Sequence, residues 1–140
     1  MSAKYLLDTN IFVYSFDAHA PAKNRKASDL IQEAIGSGKG VVSFQIVQEF
    51  FNVALRRFTP PMTVVEAQQY FTTVFRPLLS VHSSPAIYLE ALRIYDQHRV
   101  SWYDAVIVAA AILANCDFLY SEDLQQGRRF GTLQVKNPFL

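Results

Sequence analysis

The stretch YLLDTNIFVYSFD, residues 5–17, sets a carboxylate between two apolar runs. Tyr5, Leu6 and Leu7 suit a short strand buried on both faces. Ile11, Phe12 and Val13 open a short helix over residues 11–16. Asp8 falls at the junction, where aspartate is a favoured helix N-cap. Asn10 is likewise at home in turn or cap chemistry. Taken alone, Asp8 is as well explained by capping as by function, and only the rest of the chain decides.

The same strand-then-helix alternation continues outward. Residues 22–35 carry apolar side chains at helical spacing (Ala27, Leu30, Ile31, Ala34, Ile35) and stop at Gly36. Residues 40–43 read as a second strand. Ser43 caps a helix with the stripe Val47, Phe50, Phe51, Ala54, Leu55 and Phe58, which Pro60 and Pro61 end. Thr63 and Glu66 form a capping box for a helix to about Phe75. Residues 78–82 give a third strand, and Ser84-Pro85 open a helix to about His98. Ser101 starts a very apolar helix over residues 104–115. Residues 117–120 and 133–135 supply a fourth and a fifth strand. Short apolar strands alternating with helices predict a three-layer α/β/α sandwich on a parallel sheet of four to five strands.

Bulk properties narrow the class. A chain of 140 residues is most simply one domain, residues 1–140, and its 51% hydrophobic content supports a core without staples. The single cysteine, Cys116, excludes an internal disulfide and a Cys-rich zinc motif. It closes an apolar segment, which places it inside. The first residues lack the pattern of a signal peptide. The longest apolar run, residues 105–114, is too short to span a bilayer. The expectation is a soluble cytoplasmic protein with no membrane partner. Net charge is +1, from 13 basic and 12 acidic residues.

Four acids stand out by position. Asp8 ends the first strand. Asp123 lies just past the fourth, with Glu122 a rival beside it and Asp117 at the opposite end of that strand. In open α/β sheets, ligands bind outside the carboxyl ends of strands. Asp104 sits in SWYDAVIVAAAILA, where Ser101 and Asp104 match an S-x-x-D cap. A carboxylate in the first turn is stabilised as the anion. Glu49 lies nearly opposite its helix's aromatic stripe, yet Ile46 and Val53 flank it, which suits a pocket edge better than open solvent. Ionised carboxylates gathered together repel and require a cation. Oxygen-only ligands select Mg²⁺ or Mn²⁺ over zinc. His19, His82 and His98 show no metal-ligand spacing, and no phosphate-loop, dinucleotide or serine-hydrolase motif is present. With these four acids set aside, 13 basic residues face 8 acidic ones, which suits a metal-using enzyme with a polyanionic substrate, although from charge alone ordinary surface charge is the better explanation.

LLDTN after the first strand, the glutamate inside SFQIVQEFFNVALRR, SWYDAVIVAAA opening a buried helix, and FLYSEDLQQG after a late strand resemble the PIN domain. The closest likeness is to VapC-type toxin ribonucleases, and it runs over residues 4–136. Each motif is weak alone; four in order within one small α/β chain are specific. The resemblance implies an RNA-cleaving hydrolase. Asp8, Glu49, Asp104 and Asp123 would bind Mg²⁺ or Mn²⁺, with Asn10 and Ser121 in support. It favours Asp123 over Glu122, and implies a cognate antitoxin and a homodimer. Arg56, Arg57, Arg128 and Arg129 are candidates for holding the RNA backbone. The rival readings are a non-catalytic PIN-fold module that binds RNA or protein, and a hydrolase of DNA or small phosphate esters.

Overall fold

The computed structural model describes residues 3–140. Its centre is β1 (Tyr5–Leu7), with all three residues buried. So short a strand needs partners on both sides. It pairs in parallel with β2 (Gly40–Ser43) on one side and β4 (Phe118–Tyr120) on the other. β3 (Leu79–Val81) continues the sheet beyond β2, with a register shift at Val42/Ser43, and β6 (Leu133–Lys136) continues it beyond β4. β5 (Arg129–Phe130) runs antiparallel to β6 at the far edge, so the order is β3-β2-β1-β4-β6-β5. Among the described residues the sheet thus has six strands rather than four or five, and one is antiparallel. Two residues carry no readable alternation, which is why β5 escapes the sequence pattern.

Helices flank the sheet. Between β1 and β2 come α1 (Thr9–Tyr14) and α2 (Pro21–Ser37). Between β2 and β3 come α3 (Phe44–Ala54) and α4 (Val64–Tyr70). The capping box forms as expected: Thr63 N donates to Glu66 Oε1 at 2.9 Å, and Glu66 N donates to Thr63 Oγ1 at 3.1 Å. The chain then stays helical past Phe75, through a π-helical turn (Phe71–Phe75) and a last turn α5 (Arg76–Leu78). α6 (Pro85–His98) and α7 (Trp102–Leu113) pack on each other between β3 and β4, capped by the hydroxyls of Ser84 and Ser101.

α3 stops at Ala54, short of Phe58, because the Ala54 carbonyl accepts from Met62 N at 2.9 Å. Arg56 and Arg57 therefore lie in the turn beyond α3 rather than on its face. Ser43 occupies the N-cap position of α3, but its hydroxyl is buried without a partner. Packing is closest where β2 starts. A Cβ on Gly40 would lie 2.3 Å from the Cβ of Ala34 on α2, so only glycine admits this approach.

Residues 105–111 of α7 are all buried, which gives Asp104 a rigid mount. A second block of core is aromatic. Phe50 is fully buried, with Tyr70 stacked at 5.0 Å and Phe75 edge-on at 5.2 Å between ring centroids. Burial pushes the Tyr70 hydroxyl up to about 12, with nearby Ser15 opposing the shift. Tyr88 and Tyr95 on α6 instead remain exposed, beside exposed Leu89 and Leu92.

Candidate active site

Parallel pairing of β1 with β4 brings two chain segments to one end of the sheet. Asp8 N donates to Tyr120 O at 3.0 Å, so the residues after both strands lie side by side. Ser121, fully buried, donates its hydroxyl proton to Asp8 Oδ2 at 2.8 Å. Ser121 Oγ in turn accepts from Asp123 N at 3.2 Å and Leu124 N at 3.4 Å. Asp8 Oδ1 accepts from Thr9 N at 2.7 Å, so the residue does stand at the N-cap of α1. One hydroxyl therefore fixes both Asp8 and the turn that carries Asp123.

Glu49 reaches this end from α3. Thr9 Oγ1 donates to its Oε1 at 2.8 Å, and Gln45 Nε2 donates to its Oε2 at 3.2 Å. Asp123 is met by Asn10, whose Nδ2 donates to Oδ1 at 3.2 Å and Oδ2 at 3.3 Å. Asp104 stands in the first turn of α7, its backbone N donating to Ser101 Oγ at 3.1 Å. The two rivals of Asp123 from the sequence lie elsewhere. Glu122 is ion-paired with Lys23 at 2.6 Å and accepts from Tyr14 OH at 2.6 Å, facing α1 and α2. Asp117 accepts from Lys4 N at 3.1 Å, at the amino end of β4.

The acids perturb one another. Burial, with 4% of Asp8 exposed, pushes its carboxyl from 3.8 to about 6; the Ser121 and Thr9 bonds oppose this, and the charges of Asp123 and Glu49 add to it. Burial also raises Asp123, with further rises from Asp104, Glu122 and Glu49. Burial opposes ionisation of Glu122, but the Lys23 and Tyr14 bonds outweigh it and lower its pKa. Among the described residues, the ion pairs are Lys23–Glu122 and Arg93–Glu90, and neither touches Asp8, Glu49, Asp104 or Asp123.

No group of three or more carboxylate, histidine or cysteine side chains among the described residues is drawn into a ready metal cage. Neutral donors instead hold Asp8, Glu49 and Asp123. The donor chemistry nevertheless fits a hard divalent cation: four oxygen acids share one end of the sheet, and no basic side chain among the described residues is ion-paired to them. The arginines are less concentrated. Arg128 donates to the His98 carbonyl and lies over the Phe130 ring at 4.9 Å, which commits it to packing. Arg56 contacts Asn52 at 3.5 Å, and Arg57 and Arg129 are exposed. Sequence reasoning missed Thr9, Gln45, Tyr14 and Lys23. Gln45 alone had a signal, its i,i+4 spacing to Glu49.

A mostly parallel sheet with helices on its faces and acids at its carboxyl end defines a class, and the chain belongs to the PIN domain family. The family model, described as PIN domain, matches residues 5–129. Solved structures share the fold at low identity. A toxin–antitoxin complex from Klebsiella pneumoniae matches with a TM-score of 0.68 and 17% identity, over 96% of this chain and 98% of that one. VapBC2 from Rickettsia felis, bound to a promoter DNA fragment, gives 0.66 and 16%, over 95% and 97%. The VapC20 toxin of Mycobacterium tuberculosis, described as cleaving the sarcin–ricin loop, gives 0.60 and 17%, over 86% and 90%. No curated protein sequence matches the chain.

Proposed function

We propose that this chain is a metal-dependent endoribonuclease that hydrolyses RNA phosphodiester bonds, acting as the toxin of a toxin–antitoxin pair in the cytoplasm. The observation that carries the reading is the set of four acids from four separate elements at one end of the sheet, with no basic side chain among the described residues ion-paired to them. The structural neighbours support the toxin assignment and a cognate antitoxin as partner.

Asp8 and Asp104 would hold Mg²⁺ or Mn²⁺ centrally, with Glu49 and Asp123 completing the shell directly or through water. A bound divalent ion acidifies water and offsets phosphate charge. The protein supplies the frame. Ser121 fixes Asp8 relative to the Asp123 turn, and Asn10 steadies the Asp123 carboxylate. Because Asp8 titrates near 6, it is mostly ionised at neutral pH. The homodimer would cover the exposed stripe Tyr88, Leu89, Leu92 and Tyr95 on α6.

RNA cleavage with Mg²⁺ or Mn²⁺, and in chelator, tests the reading. Cleavage should vanish in chelator and in Asp104→Asn, while the variant keeps the wild-type circular dichroism spectrum. Undiminished cleavage in chelator would sink the metal mechanism; RNA binding without turnover would favour a binding module.

A further inference from the structure

Glu49 is the acid whose neighbours are most unusual. It lies one turn beyond Gln45 on α3, and Gln45 is only 4% exposed. The Gln45 amide nitrogen donates twice: to Glu49 Oε2 and to the Tyr103 carbonyl, each at 3.2 Å. Tyr103 directly precedes Asp104 in the first turn of α7. The amide orientation is fixed by this environment, since exchanging its N and O would set an acceptor against a carboxylate and a carbonyl. The carbonyl Oε1 is then left buried with no hydrogen-bond partner. A buried acceptor without a donor is unfavourable, a cost set against the two bonds that the amide nitrogen donates.

We propose that Gln45 is a positioning residue for the acid site, a strut that holds Glu49 in register with Asp104. This deepens the nuclease reading and rests on it. Two donors set the Glu49 carboxylate from opposite sides, Thr9 from α1 and Gln45 from α3. Thr9 ties Glu49 to its neighbour Asp8, and Gln45 ties it to the backbone that carries Asp104. The strut is cross-element: it joins the helix after β2 to the helix before β4. Groups that orient ligands in this way alter metal affinity or activity by 10–100-fold when removed.

The substitution that isolates this role is Gln45→Met, which keeps volume and removes both the amide donor and the orphaned acceptor. The thermal midpoint in chelator should stay close to wild type, because the lost bonds to Glu49 Oε2 and the Tyr103 carbonyl offset the relief of the orphaned acceptor. Affinity for Mn²⁺ alone, read from the electron paramagnetic resonance of the free ion, should fall about 10-fold or more, and kcat on RNA should fall about 10–100-fold. KM for RNA should stay within about twofold, because the strut touches no substrate. Should Gln45→Met not fold, Gln45→Asn takes its place, since its amide is one carbon too short to span both acceptors. A folded variant with wild-type Mn²⁺ affinity and kcat would overturn the assignment. A wild-type protein that neither binds Mn²⁺ nor cleaves RNA would overturn the nuclease reading instead, and the strut with it.

Discussion

Replacing Asp8 by asparagine should stabilise the ion-free protein at neutral pH while removing its activity. Asp8 holds its proton more tightly when folded than when unfolded, because burial moves its pKa from 3.8 to about 6. In that window the folded state binds more protons, so stability falls as pH rises from about 4 to 6. Below the lower value the acid is neutral in both states and costs nothing. Above the upper value the full cost applies: a shift of about two units at 1.36 kcal/mol each, or roughly 3 kcal/mol. Asparagine cannot ionise and escapes this cost. It also rearranges the bonds from Ser121 and Thr9 N, a loss of about 1 kcal/mol at any pH. The variant should therefore gain about 2 kcal/mol at pH 7 and lose about 1 kcal/mol at pH 3.5, if both states remain measurable there. Urea unfolding of both proteins at equal concentration in chelator, from pH 3.5 to 8, measures the difference at each pH. A difference that does not change with pH would refute the buried-charge argument, as would a variant less stable at pH 7 than wild type.

Ser121→Ala removes the proton donor to Asp8 and the acceptor of Asp123 N, so it should cost about 1–3 kcal/mol. The loss should be larger above pH 6 than below pH 4, because the missing bond favours ionised Asp8; urea unfolding at the two pH values checks this. Gly40→Ala should cost about 1–3 kcal/mol from overpacking, since the new methyl meets the Cβ of Ala34. Adding Ala34→Gly should recover part of that loss in thermal unfolding, less about 1 kcal/mol for glycine inside a helix.

The framework was legible because each piece carried its own local signal. Apolar triplets marked β1 and β4, serines marked the starts of α6 and α7, and Thr63 with Glu66 marked α4. What could not be read were the places where distant backbone decides. Ala54 ends α3 because Met62 takes its carbonyl, a contact no periodicity announces. β5 exists because β6 lies beside it. The same holds at the site. Asp8, Asp104 and Asp123 were visible as junction acids. That Ser121 reaches back across 113 residues to Asp8 depends on strand pairing. Thr9 was invisible as a partner of Glu49, and Gln45 as a link to Tyr103, for the same reason, since those contacts require α1, α3 and α7 to meet.

The two edges of the sheet have a bearing on recognition. One is β3, three residues long and out of register where it meets β2; the other is β5, two residues long and reversed. An incoming strand would find only two or three backbone groups in line on either side, too few to extend the ladder. Recognition by strand addition is thereby disfavoured at both edges. A protein or nucleic acid that engages this molecule is directed instead to the helical faces or to the end where the four acids stand.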